Sequence, residues 1–148
     1  TRYINSVPIP DSMYKKGTPQ KKKNLVICDS PGFGDNAGVE VDIANGVGMI
    51  SALFGAASVR VVVLLAYEAI VSNRMKGATE IGEIISNLFH DFSNVLGSIT
   101  FLFNKVPKNQ ITAIPNLIED KINQLTEIEK ANEKLNIFLG ELLEQSKV

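Results

Sequence analysis

Short runs of apolar residues alternate along this chain with longer stretches in which apolar residues recur every three or four positions. Three of the runs predict strands, at Leu25–Cys28, Arg60–Ala66 and Ile99–Phe103. Because these runs are apolar on both faces, they are typical of strands buried within a parallel sheet. A fourth segment, Tyr3–Ile9, has the pattern of an edge strand.

Amphipathic stretches separate the predicted strands. One predicts a helix that begins near Asp42, and another predicts a helix from about Thr79 to Leu96. From about Pro115 onward the chain is predicted to be helical, with a break near Asn132. The first helix has apolar residues at helical spacing, namely Ile43, Val47, Ile50 and Phe54. The order β, β, α, β, α, β, α predicts an α/β fold of three layers, a mostly parallel sheet with helices on both faces.

The composition is that of an ordinary globular protein. The chain has 148 residues, of which 45% are hydrophobic, with 15 Lys and Arg against 16 Asp and Glu. This length fits one domain, and a net charge of −1 argues against a nucleic-acid binder held by charge. The longest apolar run, Val61–Tyr67, is too short for a bilayer, which needs about 20 residues. No signal peptide is visible, so a cytoplasmic setting is expected.

Residues 1–24 are basic and proline-bearing. Their only acid is Asp11, and their basic residues are Arg2, Lys15, Lys16, Lys21, Lys22 and Lys23. We expect an edge strand and its connection here, with the lysine cluster in a solvated turn that also protects the sheet edge, since Lys at an edge discourages aggregation. Contact of the lysines with phosphates or with an acidic partner is the alternative.

Residues suited to ligand binding directly follow two of the predicted strands. In parallel α/β sheets, ligands bind outside the carboxyl ends of the strands. Asp29 follows the first apolar run, and a carboxylate there can hold a hydrated Mg²⁺. Gly32 lets its backbone N–H approach a phosphate oxygen with no side chain in the way. The alternative is that Asp29–Gly32 is only a turn that ends the strand, which the short DxxG pattern alone favours.

Asn104 and Lys105 follow the predicted strand Ile99–Phe103. A polar pair at the end of a strand is common and has no function by itself. Beside a phosphate site, however, the pair indicates recognition of a base. The stem of Lys can stack on a base, and the amide of Asn can hydrogen-bond to its edge.

These two segments resemble boxes of a known family. LVICDSPGFGD, residues 25–35, is similar to the DxxG box of the P-loop GTPases, in the form of their septin-like and AIG1-like branches. FLFNKVP, residues 101–107, is similar to their NKxD box. The resemblance implies a G domain of the TRAFAC type, in which Asp29 binds Mg²⁺ through water and Gly32 senses the γ-phosphate. Asn104 and Lys105 would face the guanine.

The chain departs from this family at three places. It contains no GxxxxGK[ST], the loop that supplies the main phosphate cradle and its lysine. Pro107 stands where the family has an Asp that accepts hydrogen bonds from guanine, so ATP stays a candidate ligand beside GTP. Phe33 stands where many small GTPases have a water-positioning Gln, which implies hydrolysis that is slow or assisted by a partner.

The missing loop implies an N-terminally incomplete domain. The order of elements matches a G domain entered at its second strand and left after its fourth main helix, so residues 1–148 are expected to be a partial G domain. In the family, the absent first strand lies between the strands that begin here at Leu25 and Arg60. Its absence is expected either to leave unpaired strand edges or to let the gap close in a non-native way. The fragment alone is expected to be inactive.

Two functions of different classes follow from the resemblance and its departures. The first is a GTP-binding switch with Mg²⁺ as cofactor, with GTPase activity in the complete protein and a homodimer or protein partner contacting the loop after Gly32. The second is a degenerate G domain that binds other proteins and no nucleotide, which Phe33 and Pro107 favour. Thermal unfolding with added nucleotide distinguishes the two functions, because any nucleotide that binds the folded chain raises its melting temperature.

Overall fold

The computed structural model describes residues 5–17, 25–30 and 39–147. The chain divides into two compact units, Thr1–Ser58 and Val59–Val148. Each unit contains both helix and strand, as expected for an α/β protein. The described strands form two separate pairs, one antiparallel and one parallel, where the sequence predicts one mostly parallel sheet.

In the first unit, strands β1 (Asn5–Pro8) and β2 (Val26–Asp29) form an antiparallel pair with Asn5 opposite Asp29. Beyond the ladder, the Ile9 N–H donates to the Leu25 carbonyl at 3.0 Å. β1 lies within the edge strand predicted at Tyr3–Ile9, and that prediction is confirmed for its described part.

The environment of β2 differs from the prediction. The sequence predicts a buried strand of a parallel sheet at Leu25–Cys28, which is wrong: β2 is antiparallel to β1, and Leu25, Val26 and Ile27 are all exposed. Among the described residues, no other strand pairs with β2. The physical reason is that an isolated two-stranded ribbon has no second layer to cover its faces.

Helix α1 (Val39–Phe54) confirms the helix predicted in this region, although it begins at Val39 rather than near Asp42. Its predicted apolar residues are all exposed: Ile43, Val47, Ile50 and Phe54. The helical period is therefore right, but these four residues are exposed, whereas packing on a sheet would require them to be buried. An amphipathic stripe of this kind marks a face suited to packing, whether or not another element covers it.

In the second unit, β3 (Val61–Ala66) and β4 (Ile99–Asn104) form a parallel pair. The register runs from Val61 opposite Ile99 to Ala66 opposite Asn104. Each strand agrees with its prediction to within one residue. β3 begins one residue later than predicted, and β4 ends one residue later. The parallel pairing confirms the crossover connection that the alternation of strands and helices predicts.

Only one face of this parallel pair is covered within the second unit. Val63, Leu65 and Phe101 point into the core and are buried. On the opposite face, three apolar residues are about half exposed, Val62 at 54%, Leu64 at 61% and Leu102 at 48%. The sequence predicts burial on both faces, and the difference arises because successive side chains of a strand point to opposite sides while the helices of this unit pack on one.

The helices of the second unit build the core beneath that covered face. They are α2 (Tyr67–Val71), α3 (Lys76–Leu88), α4 (Ile114–Asn123), α5 (Glu127–Ala131) and α6 (Glu133–Ser146). Short 3₁₀ segments join some of them, at Ser72–Met75, Ser93–Ser98 and Lys108–Ala113. Ile85 of α3 and Phe138 of α6 lie in the same buried cluster as Leu65 of β3.

Helix α3 ends eight residues before the predicted end at Leu96 and begins three residues before Thr79. It stops at Leu88 because Phe89 is extended, with φ −117° and ψ 130°. The Lys134 ammonium group donates to the carbonyls of Ser86 and Phe89, at 3.1 and 3.0 Å, and so satisfies backbone acceptors at the helix end. Phe92 still enters the core, but it does so from the turn that follows the helix.

The helical C-terminal part is confirmed, and so is the break near Asn132. Asn132 lies between α5 and α6, and its side-chain oxygen accepts from the Leu135 N–H at 3.1 Å, as an N-cap does. A second break, which the apolar spacing does not reveal, separates α4 from α5. There, Thr126 and Glu129 form a reciprocal capping box.

The carboxylate of Glu129 has a second partner besides this cap. It lies 2.9 Å from the Lys121 ammonium group, and the Lys121 side chain is only 9% exposed. The Thr126 N–H also donates to Glu129 at 2.8 Å. These interactions, the backbone bond from Thr126 first and that from Lys121 next, lower the pKa of Glu129 from its ordinary value of 4.5 to about 2.

The stability of this unit is therefore expected to depend on pH through Glu129. Because its pKa is lower in the folded state, the stabilisation is fully present above about pH 4.5 and is lost as the pH falls toward 2. Glu129→Gln is expected to lower the free energy of unfolding at neutral pH by about 1 kcal/mol. The variant is also expected to lose less stability than the parent chain on acidification. Urea unfolding at neutral and at acid pH measures both effects.

Glu127→Gln is the matched control. Glu127 lies two residues away in the same helix and pairs with Lys130 at 2.9 Å, but its side chain is 90% exposed. Exposed pairs of this kind contribute little. An equal loss in the two variants would show that the environment of Glu129 confers no special stability.

Candidate functional site

The carboxyl ends of β3 and β4 lie side by side. Ala66, the last residue of β3, is opposite Asn104, the last residue of β4. Directly after β3 the chain enters α2 at Tyr67, whereas after β4 it continues through Lys105. Asn104 and Lys105 are both exposed. The predicted base-recognition pair is thus located at the end of a parallel strand, with side chains accessible to a ligand.

Lys105 has an unusual backbone conformation. Its φ is 55°, in the left-handed region that residues other than glycine adopt infrequently. This conformation turns the chain sharply away from β4 immediately after Asn104. Strained residues of this kind are held in place by their surroundings and are concentrated at functional sites. No signal in the sequence reveals it, because glycine or asparagine is the usual occupant of such a position.

Met75 is the other described residue besides glycine with a positive φ, at 62°. It immediately precedes α3, and its side chain is buried in the core with 1% exposure. Packing of the Met75 side chain in the core therefore explains its left-handed conformation. Core packing does not explain the left-handed conformation of Lys105, because the Lys105 side chain is exposed.

Pro107 follows at the start of the 3₁₀ segment Lys108–Ala113, with φ −59°. Its carbonyl accepts from the Gln110 N–H at 2.8 Å, and its ring is exposed. A proline side chain has no acceptor for a base. The position where the resembled family has a carboxylate therefore serves here to begin a turn.

Asp29 is the last residue of β2, at the carboxyl end of that strand, and it is exposed. Gly32 and Phe33 lie outside the described residues. The structure brings Asn104 and Lys105 together at one strand end in the second unit and describes Asp29 separately in the first unit.

The donor chemistry at Asp29 suits one kind of metal site. Among the described residues, no group of three or more His, Cys, Asp and Glu side chains is placed to hold a metal ion. A single carboxylate is nevertheless a common protein ligand of Mg²⁺, which keeps several waters and takes phosphate oxygens of a substrate. Asp29 therefore fits a Mg²⁺ ion that arrives with a phosphate ligand.

Comparisons with models of known protein families, with curated proteins and with solved structures give no significant match to this chain. Across the described part of the chain, no helix has both the length and the apolar character needed to cross a membrane.

Proposed function

We propose that this chain is part of a nucleotide-binding domain that acts as a Mg²⁺-dependent switch, with GTP as its ligand. The two segments that resemble boxes of the P-loop GTPases, residues 25–35 and 101–107, motivate the proposal. In both segments the polar residue of interest lies at the carboxyl end of a described strand, Asp29 on β2 and Asn104 on β4. Ligands of α/β proteins bind outside such strand ends.

The observation that carries the proposal is the geometry at Asn104 and Lys105. The Asn104 amide and the Lys105 ammonium group are exposed at the end of a parallel strand, and Lys105 itself has the left-handed backbone conformation. Residues other than glycine adopt this conformation infrequently, and such residues are concentrated at functional sites. Recognition of a flat base by an amide edge and a lysine stem accounts for both the residue types and their exposure.

The incomplete sheet of the second unit also supports the proposal. Within the described residues, β3 pairs only with β4, and the face that bears Val62 and Leu64 is open. A three-layer domain requires a further strand at the free edge of β3 and a helical layer on that face. The resembled family has both, and the phosphate-binding loop connects them. The proposed three-layer G domain therefore needs a segment that carries this loop.

In such a domain the residues of this chain have distinct roles. Asp29 would hold Mg²⁺ through water, and the Gly32 N–H would contact the terminal phosphate. When bound, Mg²⁺ would neutralise charge on the phosphates. Asn104 and Lys105 would orient the base. Because Phe33 cannot position water, we propose that hydrolysis is slow or depends on a residue from a partner.

A second candidate function is a protein-interaction module that retains the fold of a G domain without its ligand. The specific observation that favours it is Pro107, whose side chain has no group that could accept a hydrogen bond from guanine. An Asp at this position makes a charge-assisted contact worth about 1.5–3 kcal/mol. Loss of that contact removes the discrimination between guanine and adenine, and in this second candidate it accompanies loss of nucleotide binding altogether.

Nucleotide binding is tested most directly in a longer chain that includes the upstream phosphate-binding loop, if the transcript encodes one. GTP with Mg²⁺ at about 100 times its Kd is expected to stabilise the folded chain by about 2.7 kcal/mol, seen as a higher melting temperature. Asp29→Ala and Asn104→Ala are each expected to weaken binding at least about tenfold, which is about 1.4 kcal/mol. Isothermal titration with GTP and with ATP, each with and without Mg²⁺, measures the affinities.

Two exposed residues of matched type are controls, Asp120→Ala for the carboxylate and Asn109→Ala for the amide. Both are expected to leave nucleotide affinity unchanged. A melting temperature that millimolar GTP and ATP fail to raise would exclude the switch and leave the interaction module. Binding that survives Asp29→Ala unchanged, or that does not need Mg²⁺, would remove Asp29 from the site.

A further inference from the structure

Tyr67 lies at the same end of the parallel pair as the predicted base-recognition residues. It begins α2 directly after Ala66, and Ala66 is opposite Asn104 in the ladder. Neighbouring strands lie about 4.8 Å apart and successive Cα atoms about 3.8 Å apart, so the Tyr67 Cα lies within about 9 Å of the Asn104 Cα. Tyr67 and Lys105 are therefore the first residues beyond two adjacent strand ends.

The Tyr67 side chain is half-buried, yet its hydroxyl has no protein partner in the described part of the chain. Among the described residues, no buried side-chain polar atom lacks a hydrogen bond, so the Tyr67 hydroxyl reaches solvent. Tyr14, the other described tyrosine, differs in this respect, because its hydroxyl accepts from the Leu25 N–H at 3.0 Å. Tyr67 thus has a partly enclosed ring and a hydroxyl that is available to a ligand.

A tyrosine hydroxyl suits the edge of a purine that Pro107 leaves without a partner. A carboxylate only accepts hydrogen bonds, whereas a phenolic hydroxyl both donates and accepts. Guanine has N–H donors and an acceptor oxygen at its edge, and adenine has an amino donor beside acceptor nitrogens. A carboxylate therefore favours guanine, while a hydroxyl can bond to either base.

We propose that Tyr67 is a third residue of the base site, and that its hydroxyl lets the site accept guanine and adenine nucleotides alike. This inference rests on the proposed function, since it assigns a further residue to the same site. The half-buried ring restricts the hydroxyl before a ligand arrives, so binding costs little side-chain entropy. α2 also presents Glu68, but the Glu68 side chain is exposed, and ordering it would cost more.

Tyr67→Phe tests the proposal, because it removes the hydroxyl and keeps the ring. In the full protein that contains this chain, the variant is expected to bind GTP and ATP each about three- to tenfold more weakly, since each loses one hydrogen bond. The free energy of unfolding is expected to stay unchanged, because the hydroxyl bonds to no described residue. Glu68→Gln, at the next residue, is expected to change neither affinity. Isothermal titration and urea unfolding measure these effects.

Pro107→Asp provides a second test through base preference. Pro107 is the residue before the 3₁₀ segment Lys108–Ala113, a place where Asp is well tolerated. The new carboxylate is expected to raise the preference for GTP over ATP to at least about tenfold. In that background, Tyr67→Phe is expected to weaken GTP binding by less than about twofold, because the carboxylate then serves the same edge of the base.

The outcomes separate this role of Tyr67 from the proposed function. Nucleotide binding that Tyr67→Phe leaves unchanged overturns the role of Tyr67 and leaves the proposed function intact. So does a parent chain that already prefers GTP over ATP by more than about tenfold, or an equal loss of affinity in Glu68→Gln. A parent chain that binds neither nucleotide contradicts the proposed function, and the role of Tyr67 fails with it.

Discussion

Phe138→Ala is expected to lower the free energy of unfolding of the second unit by about 3–5 kcal/mol. The Phe138 side chain is fully buried, with 0% exposure, in the cluster that joins α6 to α3 and to the covered face of β3 and β4. Its ring meets the Phe101 ring edge to face, with centroids 5.2 Å apart and an interplanar angle of 85°. Such a pair adds about 0.5–1.5 kcal/mol to the effect of burial alone. The substitution removes this contact and leaves a cavity between helix and sheet.

Urea unfolding followed by circular dichroism measures this loss, and Phe54→Ala provides the comparison. Phe54 ends α1 with 87% of its side chain exposed, so the same chemical change there is expected to alter stability by less than about 0.5 kcal/mol. If both phenylalanines proved equally costly to remove, burial of Phe138 in the core would be wrong. Tolerance of Phe138→Ala would lead to the same conclusion.

The parallel strands were the part of the fold most open to prediction from sequence. β3 and β4 are short, β-branched or aromatic, and bounded by polar residues, so periodicity and length agree. The end of α3 was not predictable in the same way. Phe92 and Val95 continue the apolar period of the helix, although the chain has already turned at Phe89. Periodicity records which residues are apolar, and the core accepts those residues from a turn as readily as from a helix.

Burial was predicted less well than secondary structure. Apolar residues of β2, of α1 and of the open face of β3 and β4 have the pattern of buried positions, yet they are exposed. A pattern shows that a face is suited to packing, and it does not show whether a covering element is present. Under the proposed function, that element is the strand, loop and helix of a complete G domain.

The candidate site was predictable in its location but not in its backbone. Asp29 and Asn104 are the last residues of their strands, one residue beyond each predicted end, because a polar residue after an apolar run favours the end of a strand. The left-handed conformation of Lys105 depends on how β4 connects to the next turn, and residue type gives no indication of it. The proposed role of Gly32 stays a prediction, since Gly32 lies outside the described residues.

Gly82→Ala is expected to lower the free energy of unfolding by about 1–2 kcal/mol, although alanine is the better helix former. A Cβ atom at position 82 would lie 2.6 Å from Cδ1 and 2.9 Å from Cε1 of Phe138, and 3.1 Å from Cδ1 of Leu135. The Phe138 ring is enclosed on all sides, so it cannot swing away. Overpacking of this kind costs about 1–3 kcal/mol, which outweighs the gain of about 1 kcal/mol in helix propensity. The close approach of α3 and α6 therefore requires glycine at this position.

Gly140→Ala isolates the propensity effect, because Gly140 lies within α6 and a Cβ there would meet no atom within 4 Å. That variant is expected to be more stable than the parent chain by up to about 1 kcal/mol. A double-mutant cycle then identifies the cause of the loss at Gly82. Phe138→Leu removes the ring atoms that the new Cβ would meet, so Gly82→Ala is expected to be at least about 1 kcal/mol less damaging in that background. If urea unfolding gives additive effects, the clash with Phe138 does not explain the requirement for glycine, and the packing of α3 against α6 must be looser than the structure shows.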